Sequence, residues 1–372
     1  MSTQPVPGRA PSSFQRRRVM KRRDVIRRGL FEDAPYFLLV FAFVAATLAS
    51  TRVFGIPRTV TLAIPWSSVG VLTVAYALGA VCLLAVLRVY RNTESLLEPS
   101  TWRHILGRVF SPASTVAYVF VFLSIGPLMH SFNAWKMSIP LIEPFSWDVR
   151  FMEWDRWLHG GIHPFALLQP ILGIPRITAF IDAVYYSWYH VVWLSVIWQA
   201  WHGSRRSHVR SQFLLSFALC WILLGAVVAT CLSSAGPAFY GDVVGSVDPF
   251  IPLMTYLRDV DANYGLHAIG LQELLWSVHV DPERAGLAIS AMPSLHVAVA
   301  TLLVAMGFSV DRWLGWVYSL YALLILIGSI HLGWHYALDG YVAAFLAFVI
   351  WEGSGRIVRW WRSRPYLTPA PS

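Results

Sequence analysis

Three cysteines in 372 residues exclude a disulfide-stapled scaffold. Cys82, Cys220 and Cys231 all fall inside apolar runs, so they say little about redox compartment. Charge is scarce too. Only 13% of residues are Asp, Glu, Lys or Arg, against roughly 25% in a soluble globular domain. That deficit excludes a single soluble domain, and the same composition excludes disordered and collagen-like chains. No repeat with a period of about 20–50 residues is visible. What is present is apolar: 56% of residues are hydrophobic and the mean hydropathy is +0.54. This composition describes a polytopic helical membrane protein, all-α in class.

Eight segments are apolar for about 20 residues, enough to span a bilayer: 35–55, 66–87, 112–133, 177–201, 212–233, 287–308, 313–331 and 335–352. The last two are separated by a tight turn. Segment 162–174 is apolar but short and is punctuated by Pro164, Pro170 and Pro175, so it reads as re-entrant or interfacial. The expected organisation is a basic tail over residues 1–30, two accessory membrane helices over 31–110, a catalytic membrane domain over 111–355 containing six helices, and a basic tail over 356–372.

The net charge of +9 is unevenly placed, since residues 1–28 carry nine Lys/Arg and one acidic residue. Ahead of a first span, such a block marks a cytoplasmic tail facing anionic lipid rather than a nucleic-acid-binding arm. Arg22-Arg23 invites comparison with a twin-arginine signal, but no A-x-A-like site follows, so no cleaved signal is expected. With residue 1 inside, the inner segments hold 21 Lys/Arg and 7 acidic residues, and the outer side 8 and 13. This agrees with the positive-inside rule. It places both termini in the cytoplasm and the loops 134–176 and 234–286 on the periplasmic or lumenal side. The eighteen tryptophans fit interfacial belts.

Three outward-facing stretches interrupt the apolar pattern: Ser233-Ser234-Ala235-Gly236-Pro237, Ala291-Met292-Pro293-Ser294-Leu295-His296, and His331 to Gly340. His296 and His335 are 39 positions apart. A helix descending from His296 and a second climbing back to His331 return the chain to one membrane face. His335 and Asp339 are spaced i,i+4, which puts them on one face of a helix. The carboxylate can then hold one imidazole nitrogen and leave the other free. Such a set suits phosphoryl transfer: one imidazole attacks phosphorus and the other protonates the departing alkoxide. With Pro293 at the first helical position, the amides of Ser294, Leu295 and His296 would face the cavity and cradle a phosphate.

The P-S-L-H and H-Y-x-x-D-G sequences resemble those of the type 2 phosphatidic acid phosphatase (PAP2) superfamily. A-M-P-S-L-H followed by H-Y-x-x-D is similar to its inositol phosphorylceramide synthase-like branch. The resemblance implies a six-helix catalytic core, His335 as nucleophile, Asp339 as its orienting partner and His296 as general acid. It is strongest over residues 230–345 and extends weakly back to about residue 144, through Asp148, Asp155 and Arg156. There are departures. The family's arginine six positions before the nucleophile is Ser329 here, and no lysine–x6–Arg-Pro sequence is present. The phosphate charge must then be met by helix N-termini or by Lys136, Arg150, Arg156, Arg176, Arg258 or Arg284, with Arg156 on an interfacial amphipathic stretch.

Further candidate substrate contacts are Ser294, Leu295, His331, Gly236 and the stripe Asp182, Tyr186 and His190. Two readings of that stripe stand: a cavity lining for a headgroup or acceptor, and a buried polar network between helices. His331, His335 and Asp339 at i, i+4, i+8 would share a face, which with His296 could alternatively hold zinc. The expectation is a phosphotransferase acting through phosphohistidine, with a phospholipid donor, a lipid alcohol such as ceramide as acceptor, and neither metal nor cofactor. The alternatives are a lipid phosphate phosphatase and a non-enzymatic lipid transporter or scaffold.

Overall fold

The computed structural model describes residues 30–53, 99, 112–201, 207–245, 247–281 and 288–364. The apolar segment 66–87, residues 1–29 and 365–372, and Arg284 lie outside the described residues, while residues 356–362 of the expected basic tail continue the last helix, Ala337–Arg362. Among the described residues the chain is all-helical. The helices are α1 (Ala34–Val53), α2 (Pro112–Ile142), α3 (Asp148–Leu158), α4 (Pro164–Leu172), α5 (Pro175–Tyr186), α6 (Trp188–Trp201), α7 (Ser207–Leu219), α8 (Tyr240–Val244), α9 (Ile251–Tyr264), α10 (His267–Val280), α11 (Leu295–Val310), α12 (Arg312–His331) and α13 (Ala337–Arg362). Beyond α7 the helix continues through a π-helical stretch, Cys220–Val228, and a last turn, Ala229–Cys231.

Local chemistry sets these boundaries. Proline stands at the first helical position of α4 and α5, where its missing N–H costs nothing. Asp311 caps α12 by accepting from the Trp313 amide at 2.9 Å, which separates α11 from α12 by a single residue. Left-handed glycines, Gly245 and Gly265, follow α8 and α9.

Among the described residues, three helices are long and apolar enough to cross a membrane: His208–Cys231, Arg312–His331 and Ala337–Arg362. Counting the bent pair Pro164–Leu172 and Pro175–Ala200 as one span brings the number to four. Ala34–Ser50 and Leu295–Val310 are apolar but shorter. The eight spans expected from hydropathy are therefore not all recovered among the described residues. The 117° bend after α4 is that of a broken span or a re-entrant loop. The outer loops expected at 134–176 and 234–286 are themselves largely helical.

The helices pack around one large apolar core that draws on α1, α2, α5, α6, α7, α11, α12 and α13. At one end of the bundle, Asp33 pairs with Arg210 in a buried contact, and Ser211 Oγ donates to Asp33 Oδ1 at 2.6 Å. Arg362, in the last turn of α13, donates to Glu32 at 3.0 Å. Tyr36 and Ser124 hydroxyls meet at 2.8 Å, joining α1 to α2. Helix α1 is thus bonded into the core. The residues of the three polar stretches gather at the opposite end, where α13 begins and the α7 segment finishes.

Candidate active site

The loop after Cys231 is knitted into the other two polar stretches. The Ala291 amide donates to Ser234 O at 2.9 Å and the Met292 amide to Ser234 Oγ at 3.2 Å. Gly236 has φ +92°, and a Cβ there would lie 2.7 Å from the Trp334 carbonyl oxygen. Only glycine meets both demands, so Gly236 shapes the backbone beside His335.

Two acidic residues of α3, seven positions apart and nearly fully buried, hold this assembly together. Asp148 accepts from the amides of Ala235 (2.9 Å) and Gly236 (2.8 Å) and from the Tyr336 hydroxyl (2.9 Å). Asp155 accepts from the amides of Ala337 (3.1 Å) and Leu338 (2.9 Å), capping α13 from another helix. Burial pushes both carboxyls above their ordinary value, and the donors facing them pull the other way. Neither residue was assigned a role from sequence. Their spacing on an otherwise mixed interfacial helix was the available signal.

His335 lies in the five-residue connection between α12 and α13, its amide bonded to Ser329 O at 3.0 Å. Its Nδ1 is 3.4 Å from Asp339 Oδ2, an ion-pair distance longer than a hydrogen bond. Asp339 is fully buried and accepts from the Tyr336 amide at 3.1 Å. His335 stands two residues ahead of the helix, so the pair spans the first turn of α13 rather than sitting on one continuous helix.

His296, in the first turn of α11, packs against Tyr185 (ring centroids 4.8 Å apart, 16° between planes), Trp188 (4.2 Å) and Tyr189 (5.9 Å). Its ring centroid is 6.5 Å from that of His335. The two imidazoles, distant in sequence, are brought together.

Pro293 is not the first helical residue, as had been expected. It follows a cis Met292–Pro293 bond, and Ser294 is the N-cap of α11, its hydroxyl accepting from Val297. The Ser294 amide is also engaged, donating to Asp339 O at 3.3 Å. The Leu295 and His296 amides are left without partners inside their helix. The Leu295 side chain packs against α2 and the π-helical stretch: a Cβ on Gly225 would lie 2.6 Å from both Leu295 Cδ1 and the Phe132 ring.

That contact locates Lys136. It stands four residues after Phe132, on the same face of α2, and that face meets the first turn of α11. The Lys136 and His296 side chains are both partly buried. Among the described residues Lys136 has no hydrogen bond or ion pair. Seven residues on come Glu143 and Pro144, where the family sequence has Arg-Pro.

Other expectations are corrected. His331 does not share a face with His335 and Asp339, because α12 ends at His331 and Gly333 turns the chain with φ +74°. The His331 ring is buried and bonded at 2.9 Å to Thr178, which also meets Tyr256. Arg156 is exposed, donating to Gly161 O at 2.6 Å, with no contact to either imidazole. Arg150 stacks on Trp147, and Arg176 and Arg258 are exposed. Asp182 belongs to a buried polar network between helices rather than to a cavity lining. It accepts from the amides of His267 (2.8 Å) and Ala268 (2.9 Å) and from His267 Nδ1 (2.8 Å), capping α10. Tyr186 and His190 are exposed beside it. Among the described residues, no group of three or more His, Cys, Asp or Glu side chains is placed to hold a metal ion.

The sequence profile of the PAP2 superfamily matches residues 149–352, more than half of the chain, and the chain belongs to that superfamily. It is therefore an enzyme of the phosphatase and phosphotransferase class, acting on phosphate esters, and its apolar helices make it a membrane protein. Comparison with curated proteins gives no match. Comparison with solved structures gives none either.

Proposed function

We propose that this enzyme transfers a phosphoryl or phospho-headgroup from a lipid phosphate ester through a phosphohistidine on His335, as in the inositol phosphorylceramide synthase-like branch. The observation that carries the reading is the 6.5 Å separation of the His296 and His335 rings. A phosphorus about 3–3.5 Å from one nitrogen and an ester oxygen about 2.6–3.2 Å from another fit between them.

Asp339 holds the Nδ1 proton of His335, leaving Nε2 to attack phosphorus. His296 donates a proton to the departing alkoxide, and the P–O bond breaks as the N–P bond forms. His296 then removes the proton of the incoming hydroxyl, whose oxygen displaces His335 and restores both imidazoles. Lys136 and the Leu295 and His296 amides face the phosphate charge, replacing the missing arginine. Tyr185, whose ring stacks on His296 and whose hydroxyl is buried without a partner, supplies a further donor.

The donor is a bilayer phospholipid, and the Lys/Arg distribution puts the site on the extracytoplasmic side. The catalytic unit is residues 111–355, with α1 as an integral support. Hydrolysis is the same chemistry with water as acceptor. The test is trapping of radiolabelled protein with an alkaline denaturing quench after incubation with phosphorus-labelled phospholipids. Label that is acid-labile, base-stable and absent from His335→Ala supports the reading; equal labelling of that variant refutes it. Turnover should persist in EDTA, and its loss would point to a metal beside the imidazoles.

A further inference from the structure

The two facing imidazoles are held in different ways. His335 has the Asp339 carboxylate beside its Nδ1, and the rings of His159, His267 and His331 are each hydrogen-bonded to another residue. Among the described residues, no hydrogen bond or ion pair holds either ring nitrogen of His296. The torsion that turns an imidazole about its Cβ–Cγ bond is broad. An acid with no polar partner must therefore be aimed by packing.

Trp188, the first residue of α6 and only 2% exposed, packs against it in two ways. Its indole Nε1–H donates to the His296 carbonyl at 3.0 Å, which bonds α6 to the first turn of α11. Its ring lies 4.2 Å from the imidazole, with 37° between planes. Tyr185, three residues earlier, adds a second ring at 4.8 Å and 16°. Trp188 is itself braced. Trp221, in the π-helical stretch, lies 6.5 Å from it and meets Phe132 of α2 edge-on at 4.7 Å. One tryptophan thus fixes both the backbone of His296 and the plane of its ring. An indole face within about 6 Å of a cation also attracts it. The imidazolium that gives up the proton then has an aromatic partner in place of the carboxylate that serves His335.

We propose that Trp188 is the positioning residue of the general acid, holding His296 so that its N–H points at the departing glycerol oxygen. This rests on the phosphohistidine reading and adds what aims its acid. In the first half-reaction His335 Nε2 bonds phosphorus, the P–O bond to glycerol breaks, and the His296 proton passes to that oxygen to release diacylglycerol. Trp188 makes no bond to the reacting atoms and acts through His296.

The test uses the full-length protein reconstituted in vesicles and reads the single-turnover rate of protein labelling. Phosphorus-labelled phosphatidate, phosphatidylinositol and phosphatidylcholine are tried in turn. Whichever labels the parent protein is then supplied with sulfur in place of the bridging oxygen to glycerol. A thiol is far more acidic than an alcohol, so a thiolate departs without the acid. His296→Ala should lose about 10²–10⁴-fold on the oxygen ester and recover most of it on the sulfur ester. Trp188→Leu removes the ring and the N–H. It should lose about 10–10²-fold on oxygen, as for a misaimed group, and come within about threefold of the parent on sulfur. Trp188→Phe keeps a ring and should lose only about tenfold or less on oxygen. It carries the comparison if the leucine variant does not fold. Slowing of both esters equally, or of neither, by that variant overturns the positioning role, and the acid stands if sulfur rescues His296→Ala. A His296→Ala protein that sulfur does not rescue overturns both readings, as does protein that no donor labels.

Discussion

Ser329 stands where the family has an arginine, and the proposed mechanism gives that charge to Lys136. Ser329 is fully buried, and its carbonyl accepts the Trp334 and His335 amides at 3.0 Å each, so the pocket has room for a small side chain and little more. In the function proposed here the positive charge comes from Lys136 on α2. Lys136→Met should therefore lower kcat/KM by about 10²–10³-fold, as for loss of one preorganised donor to developing charge, with Lys136→Arg recovering part of it. Steady-state kinetics on a labelled phospholipid measure this, and an unchanged kcat/KM would exclude Lys136 from the site. Asp339→Asn should slow turnover by roughly 10²–10⁴-fold while leaving the protein folded, because the imidazole loses the group that fixes its tautomer. Rates for that variant within threefold of the parent would show that Asp339 serves only the helix cap.

At the scale of elements, α3 decides whether the site assembles. Its two carboxylates hold the 233–236 loop, the Tyr336 hydroxyl and the first turn of α13, all of which meet beside His335. Asp155→Ala removes a cap and should cost about 0.5–2 kcal/mol, with a fall in kcat larger than the small loss of folded protein explains. Gly236→Ala demands a left-handed backbone and puts a methyl group against the Trp334 carbonyl. It should destabilise by about 1–3 kcal/mol, read as a lowered melting temperature in detergent. Retained stability would mean that the loop relaxes freely. These tertiary caps are invisible to periodicity, since an acid on an amphipathic helix looks the same whether it faces water or a neighbouring helix end.

Across the whole molecule, a charged cluster at one end opposes the imidazoles at the other. Asp33 and Arg210 are both buried, so Asp33→Ala leaves an unpaired cation in the core and should cost about 3–5 kcal/mol. Replacing both residues by apolar ones of similar size should restore most of that. Thermal unfolding of the single and double variants checks both. Additive losses would show that the two residues do not act as a pair. The result also bears on α1, which hydropathy alone made an accessory helix and which the Asp33, Glu32 and Tyr36 bonds make part of the core.

The helical membrane class, the family, and the trio His296, Asp339 and His335 were legible in the sequence, because span length, charge bias and short motifs are local properties. So was the return of two helices to one face, since helix rise and bilayer thickness fix it. Tertiary structure alone assigned Asp182 to a cap, turned His331 toward Thr178, set Lys136 on the α2 face that meets α11 and stacked His267 on Tyr186. Each of those outcomes depends on which group lies across a helix interface, and hydrogen bonds between elements leave no period in the chain.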